Sequence, residues 1–337
     1  MALPSDTHSS PSPSGHGLPP VEPPSARFIL QLFVVPAVIV TIIVLVWLLF
    51  NWLAQMGSDP TKYVAALRSN SKARWQAAAS LADVLNDVRN ADLKRDHRLA
   101  QELATLLSDE LQRPTDADEQ VMLDVYLCRA LGEFSVPEVV PPLVEAAGRT
   151  RPEDIGVRQA ALEGLAVVAS NLPAADNPYA SDMSLALITA AGDGDAQIRS
   201  AAAFALGVLG DSSSTNQLQK MLSDVYPDVR YNAATGLARH GHAGALPVIL
   251  EMLDPAEQAS LKLETDDQAR EFKRNLITVN GLQAAETIYR ALPSTDQQTL
   301  RGAVERLTDK EQPADIRLKA TEELRQFEAN SAAAPAA

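Results

Sequence analysis

The sequence predicts an all-α chain: one transmembrane helix followed by a solenoid of stacked helix pairs. Three observations carry this expectation. A motif repeats, with Ile198-Arg199, Ala202-Ala203 and Leu206 recurring as Val229-Arg230, Ala233-Ala234 and Leu237. An apolar residue then Arg, a small pair one turn on and Leu two turns on describe one buried face of a helix. The composition agrees, since 46% of the 337 residues are hydrophobic but only 5% are aromatic. Such a core is built of Ala, Leu and Val, which suits helix on helix rather than a sandwich or barrel. Finally, Leu32 to Phe50 is apolar at every position except Thr41, with Pro36 its only breaker.

Taken in order, residues 1–27 are rich in Pro and Ser and are expected to stay disordered, because they hold too little apolar surface to offset the entropy of folding. From Phe28 to Ser58 there is no charge. At about 1.5 Å per residue the apolar run reaches about 28 Å, close to the hydrocarbon thickness of a bilayer. A transmembrane helix is therefore placed at 28–56, with Trp47 and Trp52 as its membrane-interface residues. Thr41 is tolerable there if its hydroxyl bonds back to the preceding turn, and Pro36 is read as lying near the N-terminal end. A cleaved signal peptide fits less well, since the apolar run is too long and lacks a small-residue cleavage site. Lys62, Arg68, Lys72 and Arg74 follow the span and only Arg27 precedes it, which places the C-terminal body in the cytoplasm and the span in the cell inner membrane. The span holds no glycine between Leu32 and Phe50 and no ionisable residue, so it reads as an anchor rather than a pump or channel.

Residues 59–328 form the repeat array, about seven helix pairs by the motif, and 329–337 an Ala-rich disordered tail. Motif-bearing helices start near Ala73, Val157, Ile198, Val229 and Ile316, with degenerate copies at Leu123 and Arg274. Partner helices are expected at about Leu93–Leu111, Pro137–Ala147, Met183–Ala191, Asn216–Ser223, Ala245–Leu253 and Gln297–Leu307, after a short helix at Thr61–Ser69. Ser71 is a candidate N-cap, Pro137, Pro227 and Pro313 suit first turns, and Gly210 and Gly241 suit helix ends. Leu172–Ser181 and Asp254–Asp267 are extra excursions. A narrow, alanine-rich helix cannot bury its stripe alone, so the copies must stack.

The recurring arginines at 74, 158, 199, 230 and 317 admit two readings. One is an anion-binding ladder. The other, preferred, is inter-repeat ion pairing and capping with Asp195, Asp228 and Asp315 nearby. Positions two and six residues after the first apolar one are expected to point outward: Trp75 and Ala79, Gln159 and Glu163, Ser200 and Phe204, Tyr231 and Thr235. Outward aromatics are unusual and anchor interfaces, so Trp75, Phe204 and Tyr231, flanked by Asn232 and Arg239, form the candidate protein-binding row. Cys128 reads as core filler, and one cysteine excludes an internal disulfide. His240 and His242 lack further ligands at metal spacing, and no phosphate-binding loop, nucleophile elbow or dinucleotide fingerprint occurs. No catalytic residue, metal or cofactor is therefore assigned. Of the net charge of −14, all but −1 falls after residue 58, and no basic stripe stands out, which argues against nucleic acid.

The residues also carry a resemblance. Asp195 to Gly210, DAQIRSAAAFALGVLG, resembles the second helix of HEAT repeats, of the subtype found in phycobilisome-lyase-like bacterial proteins, and Pro227 to Gly241 resembles another. The resemblance implies a right-handed α-solenoid of HEAT-like pairs whose second helices line a concave, protein-binding face. Joined to the apolar span, it implies a bacterial membrane-anchored scaffold that recruits or organises a protein partner, its oligomeric state open. A lyase-like or accessory enzyme, or a structural subunit of a larger membrane complex, are the alternatives.

Overall fold

The computed structural model describes residues 26–56, 60–69, 74–113, 117–254, 256 and 258–332. Residues 1–25 of the expected tail, Ser71 with its neighbours, and 333–337 lie outside the described residues. Every regular element among those described is helical. The chain divides into two units, one before Pro60 and one from Pro60 onward.

The first unit is α1 (Ala26–Met56). Its segment Leu30–Phe50, with a mean hydropathy of 3.1, is long and apolar enough to cross a membrane. Thr41 Oγ1 donates to Ala37 O at 2.8 Å, so the hydroxyl is satisfied within the helix. Pro36 lies well past the first turn, contrary to the sequence reading; helix forms on both sides of it, and the bond its missing N–H would make is absent from the interior. Trp47 is exposed, while the side chain of Trp52 lies outside the described set.

In the second unit the helices come in consecutive pairs. They are α2 (Pro60–Leu67) with α3 (Arg74–Asn86), α4 (His97–Leu111) with α5 (Asp118–Gly132), α6 (Val140–Ala147) with α7 (Ile155–Asn171), and α8 (Ala180–Ala190) with α9 (Ala196–Leu209). Then follow α10 (Ser212–Met221) with α11 (Pro227–Arg239), α12 (Leu246–Leu253) with α13 (Asp267–Ile288), and α14 (Ser294–Arg306) with α15 (Ala314–Ala332). Odd-numbered helices from α3 to α15 pack in unbroken succession as one layer; α4 on α6, α6 on α8, α8 on α10 and α12 on α14 form the other. This is a solenoid, in which each pair buries its apolar stripe against its neighbours. Several boundaries differ from expectation: α1 begins at Ala26, inside the expected tail, α4 at His97 rather than Leu93, α8 at Ala180 rather than Met183 and α14 at Ser294 rather than Gln297. Asp211 accepts from Ser214 N and starts α10 before the expected Asn216, and α15 runs to Ala332 into the expected tail.

Small residues set the spacing of the odd layer. A Cβ on Gly207 would lie 2.6 Å from Gly236 Cα, and one on Gly132 would lie 2.7 Å from Gly164 Cα, so α9 meets α11 and α5 meets α7 backbone to backbone. Gly210 and Gly241, both at positive φ, end α9 and the turn after α11 as the sequence suggested. His240 closes over Gly210, and its Nε2 lies 2.9 Å from Gly207 O.

The arginines recurring at one register tie pair to pair. Arg74 donates to Leu67 O of its own pair and to Glu110 of the next, both at 2.6 Å. Arg158 bonds Ala147 O and pairs forward with Asp193. Arg199 holds Asp193 O and Gly194 O, and grips Asp224 with two nitrogens at 2.8 and 2.9 Å. Arg230 bonds Asp224 O and Glu251. Arg317, in the last described pair, keeps carbonyl bonds to Lys310 and Gln312. The arginines pair between repeats as read, though with Asp193, Asp224 and Glu251, and the capping half of the reading holds at Asp195. Asp195 is occupied as the N-cap of α9, accepting from Gln197 N and Ile198 N, and Asp228 receives Lys273.

The ladder changes at α5, where Asp124 occupies the arginine position. Arg149 from the following loop takes over, donating to Leu111 O at 2.7 Å and Asp154 at 2.8 Å. Gln120 bridges the buried carboxyls, donating to Glu110 at 2.7 Å and to Asp124 at 3.1 Å. Burial pushes the Asp124 carboxyl up to about 7, with Glu110 adding to the rise. At Asp224 the Arg199 hydrogen bonds hold the carboxyl below the usual range.

The two carboxyls therefore act on stability in opposite senses. Asp224 contributes stability that is present above about pH 4 and lost as pH falls through its lowered pKa. Asp124 keeps its proton where the unfolded chain has released it, so its contribution is full below about pH 4 and lost as pH rises through about 7. Thermal unfolding followed by circular dichroism should show Asp124→Asn raising the Tm at about pH 8 and leaving it unchanged at about pH 4. Arg199→Ala should cost about 1–3 kcal/mol at neutral pH, a difference that shrinks under strong acid. By the same measurement Gly207→Ala, which forces two backbones apart, should cost about 1–3 kcal/mol. Gly302→Ala, with open space around the new methyl in α14, should instead gain about 0.5–1 kcal/mol.

Candidate protein-binding groove

A helix in the middle of a layer is covered on both flanks and from below, so only a narrow strip of each odd helix stays open. The arginine register fixes which strip. The residue just after the arginine faces the next pair: Ser200 Oγ reaches Asp228 O of α11 at 3.5 Å, and Trp75 stacks on Tyr126 of α5 with centroids 6.0 Å apart. Tyr231 occupies the same register and is 4% exposed, its hydroxyl donating to Glu251 of α12 at 2.8 Å. The expectation that Trp75 and Tyr231 point outward is thus corrected. These rings fill the gap to the following pair, a flank that a single-helix pattern counts as free. Phe204 is 40% exposed and stays on the open strip.

Across α7, α9 and α11 the open strips join into a groove of about 820 Å³. Gln159, Glu163 and Val167 of α7 form one wall, one turn apart. Gln197, Ser200 and Phe204 of α9 run along its middle, and Asp228 and Asn232 of α11 form the other wall, with Tyr226 at the rim. Gln159, Glu163, Ser200, Phe204 and Asn232 were all legible from the repeat offsets or their flanks. Tyr226, 47% exposed, was missed because it precedes the helix. Its signal is the following Pro227, which holds the tyrosine backbone extended at φ −91, ψ 120 and so turns the ring out of the helical register. The ring is held by the Arg199 guanidinium, 5.4 Å from its centroid. Arg239 lies at the last turn of α11, exposed, about 10 Å along the helix from Asn232 and outside the groove.

The polar groups of the groove are oriented. Asn232 Nδ2 donates to Ser200 O at 3.1 Å and Ser200 Oγ at 3.0 Å, while Gln159 Nε2 donates to Glu163 Oε1 at 2.9 Å. Asn232 thus has both N–H donors engaged and Gln159 one of its two, so Asn232 leaves only its oxygen toward an occupant. Lys273 Nζ binds Asp228 Oδ2 at 3.1 Å from the side. A second groove of about 650 Å³ lies between α6 and α8, with Tyr179 and the exposed Leu185 on it, and includes none of the sequence-predicted contact residues.

Cys128 is fully buried, and burial pushes its thiol well above the usual range. Among the described residues, no group of three or more His, Cys, Asp or Glu side chains is placed to hold a metal ion.

The family of HEAT repeats matches over residues 184–263, and that of the HEAT-like repeat over 156–207. No curated protein matches the sequence. Among solved structures, an archaeal HEAT-like repeats protein from Thermococcus onnurineus NA1 is similar at 15% identity, covering 81% of this chain and 98% of that one, with a TM-score of 0.44. Yeast importin-β is similar at 12% identity over 85% of this chain and 38% of its own, with a TM-score of 0.41. Human deoxyhypusine hydroxylase is similar at 19% identity over 83% and 96%, with a TM-score of 0.32. The groove helices α7, α9 and α11 fall within the matched segments: residues 156–263 of this chain are HEAT repeats.

Proposed function

We propose that the chain is a non-catalytic scaffold that binds another protein through the groove between α7, α9 and α11 and holds it at a membrane by α1. The observation that carries this is the pairing of an open groove with two exposed aromatic side chains, Phe204 and Tyr226, among a lining that is otherwise mainly small and polar. Exposed aromatic anchors in concave sites contribute most of the energy of protein interfaces. The apolar Leu30–Phe50 segment supports the anchoring half of the reading, and the basic residues that follow it support a cytoplasmic body. Tethering both partners to one surface raises their effective concentration, so modest affinity suffices.

The test is quantitative mass spectrometry of proteins that co-purify with the full-length chain from detergent-solubilised membranes, run beside a Phe204→Ala/Tyr226→Ala variant of matched thermal stability. A stoichiometric partner should be present with the native chain and depleted about ten-fold or more with the variant. Equal recovery from both would remove the groove from the mechanism. Recovery of the chain in the soluble fraction after an alkaline carbonate wash would remove the anchor.

A further inference from the structure

The groove does not offer a peptide equal numbers of donors and acceptors. Its acidic side chains, Glu163 and Asp228, stand on opposite walls, and no Lys or Arg occurs among the described lining residues. The amide nitrogens of Gln159 and Asn232 and the hydroxyl of Ser200 are engaged within the groove, leaving Gln197 as the lining amide whose nitrogen has no partner. What faces an occupant is mainly carboxylate and carbonyl oxygen beside two aromatic faces. An oxygen-lined cleft leaves an anionic or acceptor-rich occupant desolvated and unpaired, whereas a cation is met by charge, by acceptors and by the ring faces. The spacing also speaks to shape. Three helices packed about 8–10 Å apart make a strip about 20 Å across, the reach of about six residues of extended chain.

Resting on the scaffold reading above, we infer that the groove takes an extended cationic peptide segment, with a Lys or Arg against Glu163 on the α7 wall and an apolar side chain against Phe204 and Tyr226. Specificity comes from the acceptors: the Glu163 carboxylate on the α7 wall and the amide oxygen of Asn232, whose two N–H donors are both engaged with Ser200. Lys273, beside Asp228, limits how much positive charge the α11 wall accepts, so the α7 wall at Glu163 carries the stronger selection.

The experiment uses the full chain in detergent micelles to select from a library of random, unstructured peptides, followed by fluorescence-anisotropy titration of the enriched sequences. The proteins compared are the native chain, Glu163→Gln, which keeps an acceptor for Gln159 but removes the charge, and Phe204→Ala; circular dichroism verifies that all three fold alike. The expected result is enrichment of sequences with Lys or Arg beside an apolar residue. Their affinity should fall about 5–10-fold in Glu163→Gln, about as much when the peptide cation becomes Gln, and further as salt rises. Enriched peptides without a cation, lost in Phe204→Ala but indifferent to Glu163→Gln, would overturn the charge selection and leave the groove as the binding site. Acidic peptides binding more tightly than basic ones would overturn it as well. Selected peptides that bind all three proteins equally, or no enrichment at all, would overturn both this inference and the scaffold reading on which it rests.

Discussion

Four of the first five helix pairs are held to the next by a guanidinium that bonds in two directions, backward to carbonyl oxygens at or just after the end of its own first helix and forward to a carboxylate of the pair that follows. The backward bonds satisfy acceptors that helix geometry leaves open. The forward bonds set how far one pair rotates against the next, because a bidentate grip such as Arg199 on Asp224 tolerates little change in angle. Close packing of the odd layer depends on that alignment: the backbones of Gly207 and Gly236 meet only if the crossing point is fixed. Where α5 carries Asp124 instead of arginine, Arg149 restores the backward bond from another direction, and a shared network of Arg74, Glu110, Gln120 and Asp124 replaces the single link.

Much of the fold was legible because the buried face repeats chemically. Apolar, Arg, small pair and Leu at fixed offsets locate the odd helices, and Gly210 and Gly241 close two of them at positive φ as read. What the pattern did not hold is the second flank. A periodicity within one helix separates buried from open, but whether a position faces solvent or the neighbouring repeat depends on the direction of stacking. Trp75 and Tyr231 were assigned outward for that reason, and both turn out to fill the joint with the next pair. The carboxylate partners of the arginines were illegible for the same cause, since Asp224 and Glu251 come from loops and helices whose approach is set by tertiary packing. Phe204, about one turn further along than that register, is exposed as read.

The groove and the ladder are one construction seen from two sides. Arg199 holds Asp224 and also lies against the ring of Tyr226, so the side chain that aligns two repeats also orients an aromatic wall of the groove. Asn232 ties α11 to Ser200 of α9 and, by engaging its donor there, fixes the polarity that an occupant meets. Substitutions aimed at binding are informative at Phe204 and Glu163, whose side chains are not part of the ladder. At Arg199 or Asn232 the fold and the site change together.

Because each pair packs against its immediate neighbours and none across the length of the array, almost every contact joins stretches of chain close in sequence. Loop-closure entropy is therefore small for each step, and assembly can begin at any well-matched pair and spread by addition. During synthesis the earliest pairs can close as soon as the next one emerges, without waiting for a distant segment to return. A body attached behind a long apolar helix spends correspondingly little time with its own apolar stripes uncovered, and its vulnerability to aggregation is that of a single unpaired repeat rather than of the whole chain.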